Sequence, residues 1–159
     1  MSFDAATCNS KDYLFGFNLY KWGFTSSVND VFRTSIEATA ITIGNFHNYY
    51  FGDDDGRTVT FILMKDECFD FKHGHFIKNR GFGASWFCKP ADWIVLLKPD
   101  TIDLLKRRRW EIESNANQLL IYRIHREIPF IEIDEIIKEL ESILPDLRQA
   151  ARSKQRITN

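Results

Sequence analysis

Proline, glycine and cysteine are all scarce in this chain of 159 residues, which holds four, eight and three of them. So few breakers and turn residues exclude a Pro/Gly-rich low-complexity chain, and 44% hydrophobic content with 14 phenylalanines excludes disorder over most of the length. Cys8, Cys68 and Cys88 are an odd set without a CxxC pair, which points to free thiols in a reducing compartment. Long apolar runs are missing too: none reaches the roughly 20 residues that a membrane-spanning helix needs. The opening residues, MSFDAATCNSKDY, contain no basic stretch followed by an apolar one, so no secretion signal is expected. The expectation is an intracellular, cytoplasmic protein with no membrane partner. P-loop, GxGxxG, HExxH and GxSxG motifs are absent, and no activating base is in pattern with Ser85, so nucleophilic hydrolysis has no support.

Neither sign of charge dominates, with 21 Lys and Arg against 22 Asp and Glu. Bulk charge alone therefore does not announce a nucleic-acid binder. The distribution is uneven, however: residues 1–79 carry seven basic and ten acidic side chains, residues 80–159 fourteen and twelve. Two basic clusters lie in the second half, Lys106 to Arg109 and Arg148 to Arg156. A charge run is usually a solvated helix face. The alternative for Lys106, Arg107, Arg108 and Arg109 is a phosphate-binding patch. On a helix these four spread over most of the circumference, so Arg108 and Arg109 need a partner or a carboxylate such as Glu111 or Glu113. Phe15, Phe17, Tyr20, Trp22 and Phe24 crowd a ten-residue stretch with only Lys21 as a cation. Burial in a core or a subunit interface explains them better than a stacking platform.

Periodicity then divides the chain. Cap residues at 26–30 precede VFRTSIEATAITIG, in which Val31, Ile36, Ala40 and Ile43 can share a helical face, and Gly44 ends the segment; a helix is expected. HNYYF (47–51) and RTVTFILMK (57–65) flank the turn-forming GDDDG and read as a hairpin, with FKHGHFIK (71–78) as a third strand. ADWIVLLK (91–98) suits a strand buried on both faces, expected beside 57–65. TIDLLKRRRWEIES reads as a helix with Ile102, Leu105 and Trp110 as its apolar positions, and QLLIYRIHRE (118–127) as a strand. Beyond Pro129, a stripe of Ile136, Ile137, Leu140, Ile143 and Leu144 marks a C-terminal helical segment of about 133–153, kinked or restarted at Pro145. The expected fold is one α/β domain over 1–159, a mixed central sheet flanked by helices.

Within TVTFILMKDECFDFKHGHFIKNRGFGASWFCKPADWIVLLKP, Asp66 follows a strand, Gly74-His75-Phe76-Ile77 is Gly-led, Gly83-Ala84-Ser85 is a small-residue loop and Ala91-Asp92-Trp93 opens an apolar run. This layout of about 40 residues resembles the PD-(D/E)xK nucleases, the restriction-endonuclease and Holliday-junction-resolvase fold. The resemblance implies a restriction-endonuclease-like architecture and Mg²⁺-dependent DNA hydrolysis. Such chemistry gathers two carboxylates around a hard divalent cation and adds a lysine. With Asp66 aligned, the metal-ligand and lysine positions fall on Asn48, Ile62 and Met64, none of which serves, so this register implies a degenerate centre. A second register keeps one: Asp70-Phe71-Lys72 spells (D/E)xK, Asp54 lies about sixteen residues earlier, and Glu37 is an extra carboxylate. It makes Asp54, Asp70 and Lys72 the candidate catalytic residues and Asp54, Asp70 and Glu37 the metal ligands. The bland reading puts the aspartates 53–55 in an exposed turn. Cys68, His73, His75 and Cys88 are zinc-ligand types at a spacing that matches no common module, and structural roles suit them better.

Two functions follow as expectations. One is a DNA endonuclease of resolvase, restriction or homing type, a homo-oligomer that uses Mg²⁺. The other is a catalytically inactive nuclease-fold subunit or nucleic-acid- or protein-binding module in a larger assembly, with no cofactor.

Overall fold

A computed structural model describes residues 2–4, 8–9, 17, 27–48, 57–78, 86–89, 96–124 and 129–157. Its strands are β1 (Ser2–Asp4), β2 (Cys8–Asn9), β3 (Ser27–Ile36), β4 (Thr39–Asn48), β5 (Arg57–Lys65), β6 (Phe71–Lys78), β7 (Trp86–Lys89), β8 (Glu111–Ala116) and β9 (Gln118–Ile124). Helix α1 (Pro99–Arg107) precedes β8, and helix α2 (Ile133–Ile157) closes the described chain after a 3-10 turn at Phe130–Glu132. The architecture combines α and β as expected. Every described strand pairing is antiparallel, where a mixed sheet was expected.

The sheet runs β1-β3-β4-β5-β9-β8-β6-β7, with β2 also pairing β3. β3, β4 and β5 form a meander. The β8–β9 hairpin then inserts between β5 and β6, so the centre of the sheet joins residues some 60 positions apart, such as Ile62 with Ile121. That insertion corrects the expected place of 91–98. β5 has β4 on one side and β9 on the other, which leaves no edge for a further strand. Residues 91–95 lie outside the described residues, and 96–98 are not strand.

The helix expected over 31–44 is instead the β3–β4 hairpin, closed by Glu37 and Ala38 with Ile36 opposite Thr39. Thr34, Ile36, Thr39, Ile41, Thr42 and Ile43 are β-branched, and such side chains favour the pleated surface over a helix. Period two also sorts them better than period 3.6: Phe32, Ile41 and Ile43 enter the same core. Gly44, expected to end a helix, sits inside β4 opposite Phe61.

The two helices cover one face of the sheet. Ile41, Ile43, Ile62, Met64, Ile112, Leu119 and Ile121 supply the sheet side of that core; Leu105, Ile136, Leu140, Ile143, Leu144, Leu147 and Ala151 supply the helix side. Pro145 neither ends nor restarts α2, which runs unbroken through it. It lies on the exposed side of the helix, where solvent can donate to the Glu141 carbonyl that proline leaves without an N–H partner. The other face of the sheet is buried as well, through Val59, Phe61, Leu63, Leu120 and Tyr122. Phe17 is fully buried, as the aromatic N-terminal stretch suggested; Phe15, Tyr20, Trp22 and Phe24 lie outside the described residues.

Candidate functional site

The basic run starts where α1 stops. Arg108 is the helix C-cap and Arg109 takes a left-handed φ of 58°. The Arg109 N–H donates to the Lys106 carbonyl and the Trp110 N–H to the Leu105 carbonyl, the paired bonds of a Schellman ending. Glycine usually takes the left-handed position, and its absence is why the sequence pattern reads as a helix through 114. The chain instead reverses at Arg109 and enters β8, taking Trp110 into the core.

This reversal divides the four cations. Arg108 turns inward onto α2: its Nε donates to Glu139 at 2.8 Å, and Nη2 meets Glu139 at 2.9 Å and Glu135 at 2.9 Å. Glu132 stands 3.9 Å from Nη1. The Glu139 bonds, against a smaller opposing effect of burial, and the three carboxylate charges raise the Arg108 pKa above its ordinary value. Arg108 is thus paired with acids of α2; the sequence had offered Glu111 and Glu113, which lie buried on β8. Arg123 supports the same corner, with its guanidinium 5.2 Å from the Trp110 ring and Nη1 donating to the Arg108 carbonyl at 3.4 Å. Lys106, Arg107 and Arg109 remain exposed around this fixed arginine.

The second basic cluster is also divided. Arg148 leaves the other flank of α2 and reaches three acceptors: Nε to Asp66 at 2.8 Å, Nη2 to the Thr39 hydroxyl at 2.7 Å, and Nη1 to Glu37. Asp66 is buried. It also accepts the Thr39 hydroxyl and, at 2.8 Å, the Cys68 N–H. Burial pushes the Asp66 carboxyl up, but these hydrogen bonds and the Arg148 charge together outweigh it and bring the pKa down from 3.8 to about 2. Asp66 therefore ties the turn after β5 to the β3–β4 turn and to α2. The sequence marks it only as an aspartate directly after a strand; its partner Arg148, 82 residues away, is not visible there.

The nuclease-derived positions that the structure describes lie on the β3–β4 turn, β4, β5 and at the start of β6. Ile62 and Met64 are fully buried in the core beneath the helices, paired in register with Ile43 and Ile121, and with Ile41 and Leu119. Asn48 ends β4 opposite Arg57. Asp70 is exposed at the start of β6, and Lys72 is a position within β6. Glu37 is in the β3–β4 turn rather than on a helix, and it pairs with Arg148. Asp54 lies outside the described residues. Of the zinc-type residues, Cys68 is an exposed free thiol; His73, His75 and Cys88 are strand positions in β6 and β7. Among the described residues, no three His, Cys, Asp or Glu side chains gather as a ligand set. Likewise, no helix among them is long and apolar enough to cross a membrane.

Family models, characterised proteins and solved structures were all compared with the chain, and none of them matches it.

Proposed function

We propose that the chain is a non-catalytic binding module that meets nucleic-acid phosphates through Lys106, Arg107 and Arg109. The observation that carries this reading is the exposed trio held around an inward-facing Arg108. Three cations next to one another on a rigid helix end are preorganised for a polyanion, because the Schellman turn and the Arg108 pairs fix the backbone that bears them. Phosphate contacts of this kind give affinity without sequence readout. The burial of Ile62 and Met64 supports the non-catalytic form of the nuclease resemblance, since a strand that gives these positions to an apolar core has no oxygen ligand there. The binding reading itself does not depend on that resemblance. A module without its own chemistry acts within an assembly, either with copies of itself or with a catalytic chain.

The test is fluorescence anisotropy of one labelled DNA duplex at several salt concentrations. Each phosphate neutralised contributes about −0.9 to the slope of log affinity against log salt. Arg107→Ala with Arg109→Asn should weaken binding to unrelated sequences alike and flatten the slope by up to about two units. Asn is chosen because it tolerates the left-handed backbone. Absence of salt-dependent binding in the parent chain sinks the proposal. Mg²⁺-dependent cleavage of the duplex that vanishes in Asp70→Asn would establish the endonuclease instead.

A further inference from the structure

An open groove of about 570 Å³ lies between α1 and α2, with Arg107 of the cationic end among its lining residues. Its lining includes Lys98, Thr101, Leu104, Ile143, Pro145 and Asp146. Two of these are polar and more than nine-tenths buried: Thr101 is 4% exposed and Asp146 is 6% exposed. Asp146 Oδ2 accepts the Lys98 backbone N–H at 2.8 Å, so the carboxylate is held in place as it faces the groove. Its other oxygen has no hydrogen-bond or ion-pair partner among the described residues, and neither has the Thr101 hydroxyl. Neither oxygen is sealed from solvent, so both open onto the groove, and a carboxylate oxygen and a hydroxyl facing one cavity suit a ligand that supplies donors in place of water.

We infer that the α1–α2 groove binds a primary ammonium on a short aliphatic stem. The ammonium has three donors and no acceptor, which suits Asp146 Oδ1 and the Thr101 oxygen together. Leu104, Ile143 and Pro145 offer the stem an apolar wall, and Asp100 and Asp103 add acidic charge among the lining residues. Two features oppose a cation. The first turn of α1 carries about half a positive charge, and Asp100 and Asp146 offset it. Lys98 and Arg107 also line the groove, but they are exposed, as are Asp100 and Asp103, and these two pairs of opposite charges offset one another in water. The buried carboxylate therefore decides the sign. Such an ammonium belongs either to a free alkylamine or to a lysine side chain of a protein partner.

The experiment titrates the full chain with cadaverine, pentanol, butyrate and a capped peptide with a single lysine, followed by amide chemical shifts. Cadaverine and the lysine peptide should move resonances of α1 and of residues 142–146 in a saturable way, while pentanol and butyrate should not. Tighter binding of the peptide identifies a protein source, and tighter binding of cadaverine a free amine. Thr101→Val should weaken the ammonium ligands at least tenfold and Thr101→Ser should restore them. Asp146→Asn should remove binding; if that variant does not fold, the Thr101 pair decides. Equal binding of pentanol, preferential binding of butyrate, or an unchanged affinity in Thr101→Val would overturn the inference. Arg107 lines this groove and also belongs to the phosphate proposal, so the two are told apart by the salt-dependent duplex binding of Thr101→Val, which should equal that of the parent chain.

Discussion

Asp66 shows how one residue carries several parts of the fold. It accepts from Thr39, from the Cys68 N–H and from Arg148, and these come from β4, the turn after β5, and α2. A carboxylate bound this way is stabilised in its charged form, so its folded pKa of about 2 lies below the ordinary 3.8. The sign follows from linkage. The stabilisation is complete above the ordinary value and is lost as pH falls through 3.8 toward 2, because the unfolded chain takes up the proton first. A shift of this size corresponds to about 2 kcal/mol. Asp66→Asn should therefore lower stability at pH 7 by at least about 2 kcal/mol, and more where Arg148 is left with only Glu37 and Thr39. Urea midpoints from pH 2 to 7 check both points: the parent should lose stability between pH 4 and 2, and the variant should lose less over that interval. Equal acid slopes would show that another carboxylate governs acid unfolding. Arg148→Lys should not rescue the network, since a point ammonium cannot reproduce a planar fork directed at three acceptors.

At the scale of elements, the ends of α1 and α2 govern the placement of charge. α2 carries Glu135 and Glu139 on the flank toward α1 and Arg148 on the flank toward the β3–β4 turn, so ion pairs of opposite polarity fix its rotation over the sheet. The α1 ending is less favourable, because Arg109 holds a left-handed φ that costs a side-chain-bearing residue about 1 kcal/mol. Arg109→Gly should raise stability by up to about 1 kcal/mol, seen as a higher urea midpoint at unchanged slope, while it weakens salt-dependent DNA binding. A lower midpoint would mean that the Arg109 side chain makes a contact worth more than the strain. The same turn explains what the sequence reading could and could not see. Strands 57–65, 71–78 and 118–124 and the last helix follow local periodicity, and they were legible. The helix through 114 was misread because the reversal uses Arg109 in place of glycine. The segment 31–44 was misread because its apolar residues fit both periods over a short window, and the winning pattern depends on β5 lying alongside. Residues of the groove, Thr101 and Asp146, are 45 positions apart and become neighbours only when α1 docks on α2.

At the scale of the whole molecule, the sheet order sets which parts stand or fall together. β5 receives hydrogen bonds from β4 and from β9, and its two faces bury Ile62 and Met64 under the helices and Val59, Phe61 and Leu63 on the opposite side. The β8–β9 hairpin follows α1 in the chain and returns to pair with β5, so the central pairing closes a long loop and couples the two halves of the chain. Amides of β5 and β9 should therefore exchange with solvent only through global unfolding. Ile62 tests whether α2 belongs to that same unit, because its side chain joins the core that α2 covers. Ile62→Ala removes a fully buried side chain and should cost about 2–5 kcal/mol. In native-state hydrogen exchange, this loss should appear at equal size in the slowest amides of β5, β9 and α2. If α2 keeps its protection while β5 loses its own, the helix layer is a separate unit and the clasp at Asp66 does not couple it to the sheet.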